Sequence, residues 1–270
     1  MLIDGKALAD KILENLTTDV TRLKSQSIIP TLAVILVGDD PASFAYIKQK
    51  QKAADVIGAT VLFDHLPATT TKDQLKEKIL SYNSDPLIHG LIIQRPVAKE
   101  LGDVSDILVL VDPQKDADGF LPNSPFSIPV AIAVEEILKS ISNIQYPIHN
   151  MVIIGRGETA GKPIADHFVK LGITPTIIHS QTPNAKEIMQ SADIIISCVG
   201  KERVITSDDI KQGVVLISVG IWRDSEGKLH GDYDQTDIQD KASWYTPTPK
   251  GVGPVNVACL MQNLVKACML

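Results

Sequence analysis

Apolar residues recur along the first half of the chain in two alternating rhythms. At positions 6–24, Leu8, Ile12, Leu13, Leu16, Val20 and Leu23 fall three or four apart, the spacing of one buried helical face. Positions 32–37 are an unbroken aliphatic run and predict a strand buried on both sides. Helical spacing returns at 41–57 and stops at Gly58; Asp40 and Pro41 before it are a capping residue and a first-turn proline. A strand at 60–66, a helix at 72–81 and a strand at 88–93 with Gly90 inside it follow. Strand–helix–strand order of this kind implies a parallel sheet with crossover helices.

The rhythm breaks at 118–129, where Pro122, Pro125 and Pro129 mark a linker. A second series then begins: a helix at 130–140, a strand at 151–154, a helix at 160–171, a strand at 174–178, a short helix at 185–191, and strands at 194–199 and 214–219. Positions 232–240 read as irregular or briefly helical. After the Pro/Gly-rich stretch 247–254, a final helix at 255–267 has the periodicity of a segment that docks. The expected fold is α/β with two domains: an N-terminal α/β domain over 1–127, onto which a C-terminal helix (252–270) packs back, and a Rossmann-type parallel-sheet domain over 128–251.

Composition narrows the class. Of the 270 residues 44% are hydrophobic and only 4% aromatic, so the core is aliphatic, as buried parallel strands require. The net charge of −6, with no Lys/Arg block, argues against a nucleic-acid surface. Cys198, Cys259 and Cys268 are odd in number and widely spaced, with neither a disulfide framework nor metal-ligand spacing, so no metal is expected. No apolar run approaches membrane-spanning length and the N-terminus lacks a signal-peptide core, so a cytoplasmic protein without membrane contact is expected.

Candidate chemistry starts at Tyr46 and Lys50. Four residues apart on the 41–57 helix, they share a face just beyond the end of a strand, where open α/β sheets place ligands. A desolvated lysine can act as a base. The alternative is that Lys48, Lys50 and Lys52 are the wet side of an amphipathic helix. Gln94 follows the 88–93 strand, and Asp116 and Asp118 stand before Gly119, where they serve either a ligand edge or a plain Asp-Gly turn. The turn after 151–154 reads Gly155-Arg-Gly-Glu-Thr-Ala-Gly161, one residue longer than the usual dinucleotide fingerprint but correctly set between strand and helix. Gly155, Gly157 and Gly161 would let a pyrophosphate approach the backbone. The following strand ends in His179-Ser180 rather than in an acid, so Arg156 and Ser180 are candidates to hold a 2′-phosphate, which favours NADP over NAD.

Six motifs occur in order: Val37-Gly-Asp-Asp-Pro-Ala-Ser-x-x-Tyr46-x-x-x-Lys50, Gln94-x-Pro96, Lys115-Asp-x-Asp-Gly119, Gly155-Arg-x4-Gly161-x-Pro163, His179-Ser-x-Thr182 and Pro249-x-Gly-Val-Gly-Pro254. Together they resemble the bifunctional methylenetetrahydrofolate dehydrogenase/methenyltetrahydrofolate cyclohydrolase family over nearly the whole chain. The resemblance implies a homodimer that binds tetrahydrofolate derivatives in a cleft between its domains, with NADP on the second. It implies Lys50 as the essential cyclohydrolase residue, Gln94 tuning it, Tyr46 packing on the substrate ring and assisting, and Asp118 holding the pterin amino edge. It adds Gly253 and Pro254 on the substrate side and Ile221 on the cofactor side.

The chain departs from the family pattern at several points. The 120–129 segment is shorter and lacks the usual Pro-Cys-Thr-Pro; Gly157 stands for Ser, Ser218 for Asp, Trp222 for Asn, Lys250 for Gly, Asn256 for Thr and Arg95 for Leu. These departures raise a cyclohydrolase with a weakened or lost dehydrogenase as an alternative. A non-catalytic folate- or nucleotide-binding protein of the same fold has no need of a base at 50. A hydroxy-acid dehydrogenase would want an acid/base that His167 and His179 are poorly placed to supply.

Overall fold

The computed structural model describes residues 1–141 and 150–270. They form two compact units, Asp10–Pro129 with Val257–Leu270, and Met1–Ala9 with Val130–Asn256.

The first unit is built on α1 (Gly5–Ser25), β1 (Thr31–Val37), α2 (Pro41–Ile57), β2 (Thr60–Leu66), α3 (Lys72–Ser84), β3 (Gly90–Ile93) and the single turn α4 (Ser105–Leu108). Its three strands are parallel in the order β2-β1-β3. β1 is central and Leu32 to Leu36 are wholly enclosed, which is what its unbroken aliphatic run demands. α2 starts and ends where its local chemistry dictates. The Asp40 side chain accepts from Ser43 N at 2.8 Å and from Ser43 Oγ at 2.7 Å, and Gly58 closes the helix at φ +76°. α3 runs one turn beyond the predicted 72–81, because Tyr82 is buried against the core and its hydroxyl donates to Asp64 at 2.9 Å. β3 begins at Gly90 rather than 88, since Ile88 N is spent on a turn to Asp85 O.

The second unit contains α5 (Pro129–Ser140), β4 (Met151–Ile154), α6 (Gly161–Lys170), β5 (Thr176–Ile178), α7 (Ala185–Ser191), β6 (Ile194–Ser197), β7 (Val215–Ser218), β8 (Ile221–Arg223), β9 (Leu229–Gly231), α8 (Gln235–Ile238), β10 (Trp244–Tyr245) and the start of α9 (Val252–Ala267). Its five-stranded sheet is parallel in the order β10-β7-β6-β4-β5. Numbered from β4, that is the doubly wound order 2-1-3-4-5, whose switch point lies between β4 and β6. Residues 1–9 join this unit because Leu2 bridges Tyr245 and Ile3 N donates to Tyr245 O at 2.8 Å, extending the sheet beyond β10. The antiparallel pair β8–β9 was not legible in the hydrophobic pattern, since each strand has three residues. Its turn is organised by Asp224, whose Oδ1 accepts from Glu226 N and Lys228 N. α9 begins at Val252, three residues before the predicted start.

Candidate functional site

In the first unit, α2 leaves the C-terminal end of β1 with Tyr46 and Lys50 on one side. Lys48 and Lys52 are exposed, whereas Lys50 is buried at 8% exposure. That contrast decides between the two readings of the helix: Lys50 is not part of its wet face. Its Nζ donates to Gln94 Oε1 at 2.9 Å, and Gln94 Nε2 donates to Arg95 O at 3.0 Å, which fixes the amide orientation. Gln94 is presented from the end of β3, where its own N–H bonds Ile35 O. Burial pushes the Lys50 pKa down and the nearby Asp118 carboxylate offsets part of that shift. Burial pushes the half-buried Asp118 up; Lys50 opposes it, Asp116 adds to it, and Arg95 opposes it. The Arg95 guanidinium lies over the Phe120 ring, 4.5 Å from its centroid. A half-buried phenol at Tyr46 completes the set. The arrangement offers a base with a depressed pKa, an amide that orients it, and a carboxylate able to hold a donor edge.

In the second unit, the C-terminal ends of β4, β5, β6 and β7 form one edge. Gly155 N donates to Ile178 O at 2.9 Å, which ties the glycine turn to the end of β5, and so Arg156 and Ser180, both exposed, emerge from neighbouring strands. Gly155 adopts φ +101°, and a Cβ on Gly161 would stand 2.1 Å from Gly155 O. These two glycines are sterically required. Gly157 is not: its φ is ordinary and a Cβ there meets nothing within 4 Å. α6 starts at Gly161 with no side-chain cap, leaving its first turn to serve an anion. Ile221 begins β8 beside the β6–β7 edge, where a Cβ on Gly200 would stand 2.9 Å from Ile221 O. Gly253 and Pro254 lie in the first turn of α9, Gly253 exposed and Pro254 half-buried.

Three features of these sites escaped the sequence reading. Asp232 is fully buried and its carboxylate accepts from Ser197 Oγ (2.5 Å), Val199 N (3.0 Å), Gly200 N (2.7 Å) and Lys201 N (3.0 Å), which shapes the turn after β6. The signal was a lone Asp beside Gly231, with nothing to distinguish it from a loop acid. Lys115 Nζ donates to the carbonyls of Tyr82, Asn83 and Asp85 at the end of α3 and so anchors the Asp116–Asp118 loop. Asn263, on α9, reaches that same loop from far along the chain.

The departures are absorbed locally. Ser218 Oγ accepts from Asp232 N at 2.9 Å and donates to Gly220 O at 3.0 Å. Trp222 Nε1 donates to Gly231 O, and its ring stacks on His230 at 4.7 Å. Lys250 holds φ +78°, a left-handed conformation that favours the glycine it replaces. His167 is engaged with Glu135 at 2.7 Å between α5 and α6. Burial and Asp232 together push the Cys198 thiol far up, which disfavours its thiolate form. Among the described residues no group of three or more His, Cys, Asp or Glu could hold a metal, and no helix is long and apolar enough to cross a membrane.

Comparison with known proteins places this geometry. Residues 3–118 match the tetrahydrofolate dehydrogenase/cyclohydrolase catalytic domain, and residues 129–270 match the NAD(P)-binding domain of the same description. The bifunctional protein FolD of Lactococcus lactis subsp. cremoris is 40% identical over 275 residues, covering 98% of this chain and 96% of its own. The crystal structure of the bifunctional FolD enzyme, methylenetetrahydrofolate dehydrogenase/cyclohydrolase, from Campylobacter jejuni is 36% identical with a TM-score of 0.95, covering 100% of this chain and 98% of that one. The Trypanosoma brucei enzyme, complexed with NADP and an inhibitor, is 30% identical with a TM-score of 0.93, covering 100% and 97%.

The two kinds of glycine in the 155–161 turn make a direct prediction. Gly161→Ala, whose Cβ runs into backbone, is expected to lower the melting temperature by several degrees, about 1–3 kcal/mol of destabilisation. Gly157→Ala is expected to leave it within about 1 °C. Differential scanning calorimetry decides; equal effects from the two substitutions contradict the steric account.

Proposed function

Because the chain belongs to the tetrahydrofolate dehydrogenase/cyclohydrolase family, we propose that it is a bifunctional one-carbon folate enzyme. It oxidises 5,10-methylenetetrahydrofolate to the 5,10-methenyl compound with NADP and hydrolyses that product to 10-formyltetrahydrofolate. The observation that carries this reading is the buried Lys50 amine bonded to Gln94 at 2.9 Å.

The residues fit both halves. NADP, when bound, supplies the hydride acceptor. Gly155 and Gly161 admit a pyrophosphate to the α6 N-terminus, while Arg156 and Ser180 suit a 2′-phosphate and Ile221 the edge beside them. Gly157 lacks the hydroxyl usual in the family but leaves that space open. The methylene carbon lies between two nitrogens whose lone pairs stabilise the cation left by hydride loss, so the protein's task in oxidation is positioning. Tyr46 and Asp118 serve that task on the first unit, Asp118 by accepting from the pterin amino edge; Gly253 and Pro254 are the substrate residues that the family resemblance adds. In hydrolysis, water attacks the methenyl carbon as Lys50 takes one of its protons and the C=N pair moves onto nitrogen. The N5–carbon bond then breaks, N5 taking the hydroxyl proton and the formyl group staying on N10, while Gln94 orients the Lys50 Nζ. A lysine held below its ordinary pKa is suited to that exchange.

We also propose a homodimer and a cytoplasmic location. No disulfide joins Cys198, Cys259 or Cys268, which fits a reducing compartment. The edge strand β2 and its neighbour α2 expose Leu62, Phe44 and Val56, and the Phe44 ring meets Phe63 edge-on at 6.0 Å, an apolar strip suited to a second copy.

Paired spectrophotometric assays with NADP and NAD run separately are expected to show NADP-driven oxidation and methenyl hydrolysis; absence of both in folded protein overturns the reading. Lys50→Ala is expected to lower hydrolysis by about 10²-fold or more. Hydrolytic kcat should rise with pH through a midpoint below the ordinary lysine range. Asp118→Asn removes the negative charge that raises the Lys50 pKa, so this limb moves to lower pH; movement to higher pH contradicts the assignment. For the assembly, Phe44→Glu is expected to convert a dimer to a monomer in analytical ultracentrifugation, and an undisturbed dimer rejects the β2–α2 strip as its interface.

A further inference from the structure

Asn263 lies on α9 in the segment that belongs with the first unit, and it is 1% exposed. Its Nδ2 donates to Ala117 O and to Ser127 O, both at 2.9 Å. An amide nitrogen has two N–H donors, so both are in use. Its Oδ1 is buried without a hydrogen-bond partner among the described residues. A buried acceptor left unpaired destabilises a fold. A leucine of similar shape would avoid that orphan but could not join the two carbonyls.

What the amide joins is informative. Ala117 immediately precedes Asp118, and Ser127 lies in the shortened segment that returns over the same loop. The approach is close: Gly119 adopts φ +67°, and a Cβ there would stand 2.8 Å from Phe126 O and 2.9 Å from Ser127 C. Asp116 Oδ2 accepts from Leu121 N at 2.8 Å, closing the other side of the turn. Below it, a Cβ on Gly90 would come within 3.1 Å of Leu264 and 3.2 Å of Ala117, so strand, loop and helix are in tight contact. The Asp118 backbone is thus clamped between Lys115, which grips α3, and Asn263, which grips Ser127.

We propose that Asn263 is a positioning residue for the folate substrate: by tying Ala117 to Ser127 it holds the Asp118 carboxylate in the one orientation that accepts the pterin amino edge. The inference rests on the folate reading of Asp118 given above. It assigns a part in substrate recognition to a residue distant in sequence from the motifs that carry the chemistry, and it makes the shortened 120–129 segment one jaw of the clamp.

A double-mutant cycle tests it on the full chain. Tetrahydrofolate binding is measured by calorimetry for the wild type, Asn263→Leu, Asp118→Asn and the double variant, with NADP binding as a control. Asn263→Leu is expected to weaken tetrahydrofolate about tenfold while NADP affinity stays within about twofold. In the Asp118→Asn background the same substitution should cost less than about twofold, because the orientation it secures no longer matters. Equal losses in both backgrounds, or parallel losses of tetrahydrofolate and NADP, make Asn263 merely structural and overturn the proposal. Should Asn263→Leu fail to fold, Asn263→Gln, which keeps the donors but displaces them, carries the same cycle with the same criteria. A wild type that binds no tetrahydrofolate sinks the folate reading itself; a wild type that binds it, with Asn263 variants unchanged, sinks only this inference.

Discussion

The amine of Lys50 is held out of water by the end of a parallel sheet, and much of the first unit follows from keeping it there. An ammonium in such a place is costly, and the cost falls when the proton leaves. The surroundings moderate this without abolishing it. Gln94 Oε1 accepts from Nζ, and Asp118 favours the charged form, while burial favours the neutral one. A lysine so balanced can exchange a proton during a reaction. The helix that carries it is fixed at both ends by Asp40 and Gly58, and the strand that carries Gln94 is fixed to Ile35 through the sheet. Lys50 and Gln94 therefore meet because β1 pairs with β3, not because they are near in sequence.

The second unit meets a different constraint. A nucleotide needs backbone, not side chains, at close quarters, and the edge between β4 and β6 provides it. A Cβ on Gly161 would run into Gly155 O, Gly155 itself holds φ +101°, and Asp232 draws the amides of Val199, Gly200 and Lys201 into the next turn. Two residues that differ from the family pattern on this side make hydrogen bonds of their own in the turn and hairpin. Ser218 keeps a hydrogen bond to Asp232 N, and Trp222 closes the β8–β9 pair.

The sequence made legible those elements whose pattern is local. β1 announced itself by six aliphatic residues in a row, α2 by Asp40, Pro41 and Gly58, and the 155–161 turn by its glycines. Tyr46 and Lys50 were readable as a pair because helical spacing is local, and the folate proposed for them rests on the order of motifs along the chain. What stayed hidden depends on contacts distant in sequence. Lys50 looked like Lys48 and Lys52 until β3 and the Asp118 loop covered it. Asp232 has no motif, since its role arises from amides some 30 positions earlier. Gly157 and Gly161 look alike in sequence and differ only in what stands beside them. The β8–β9 hairpin is too short for periodicity, and the residues 1–9 join the second unit through a single strand pairing with Tyr245.

The central claim is that Lys50 is a base tuned by burial. It is tested most directly by titrating the Lys50 side-chain nitrogen in the ligand-free protein by heteronuclear NMR, with the resonance assigned through Lys50→Arg. A midpoint below the ordinary lysine value of about 10.4 is predicted. A midpoint at or above that value contradicts the account, because the amine would then be a solvated or fully paired cation at every pH at which the protein works.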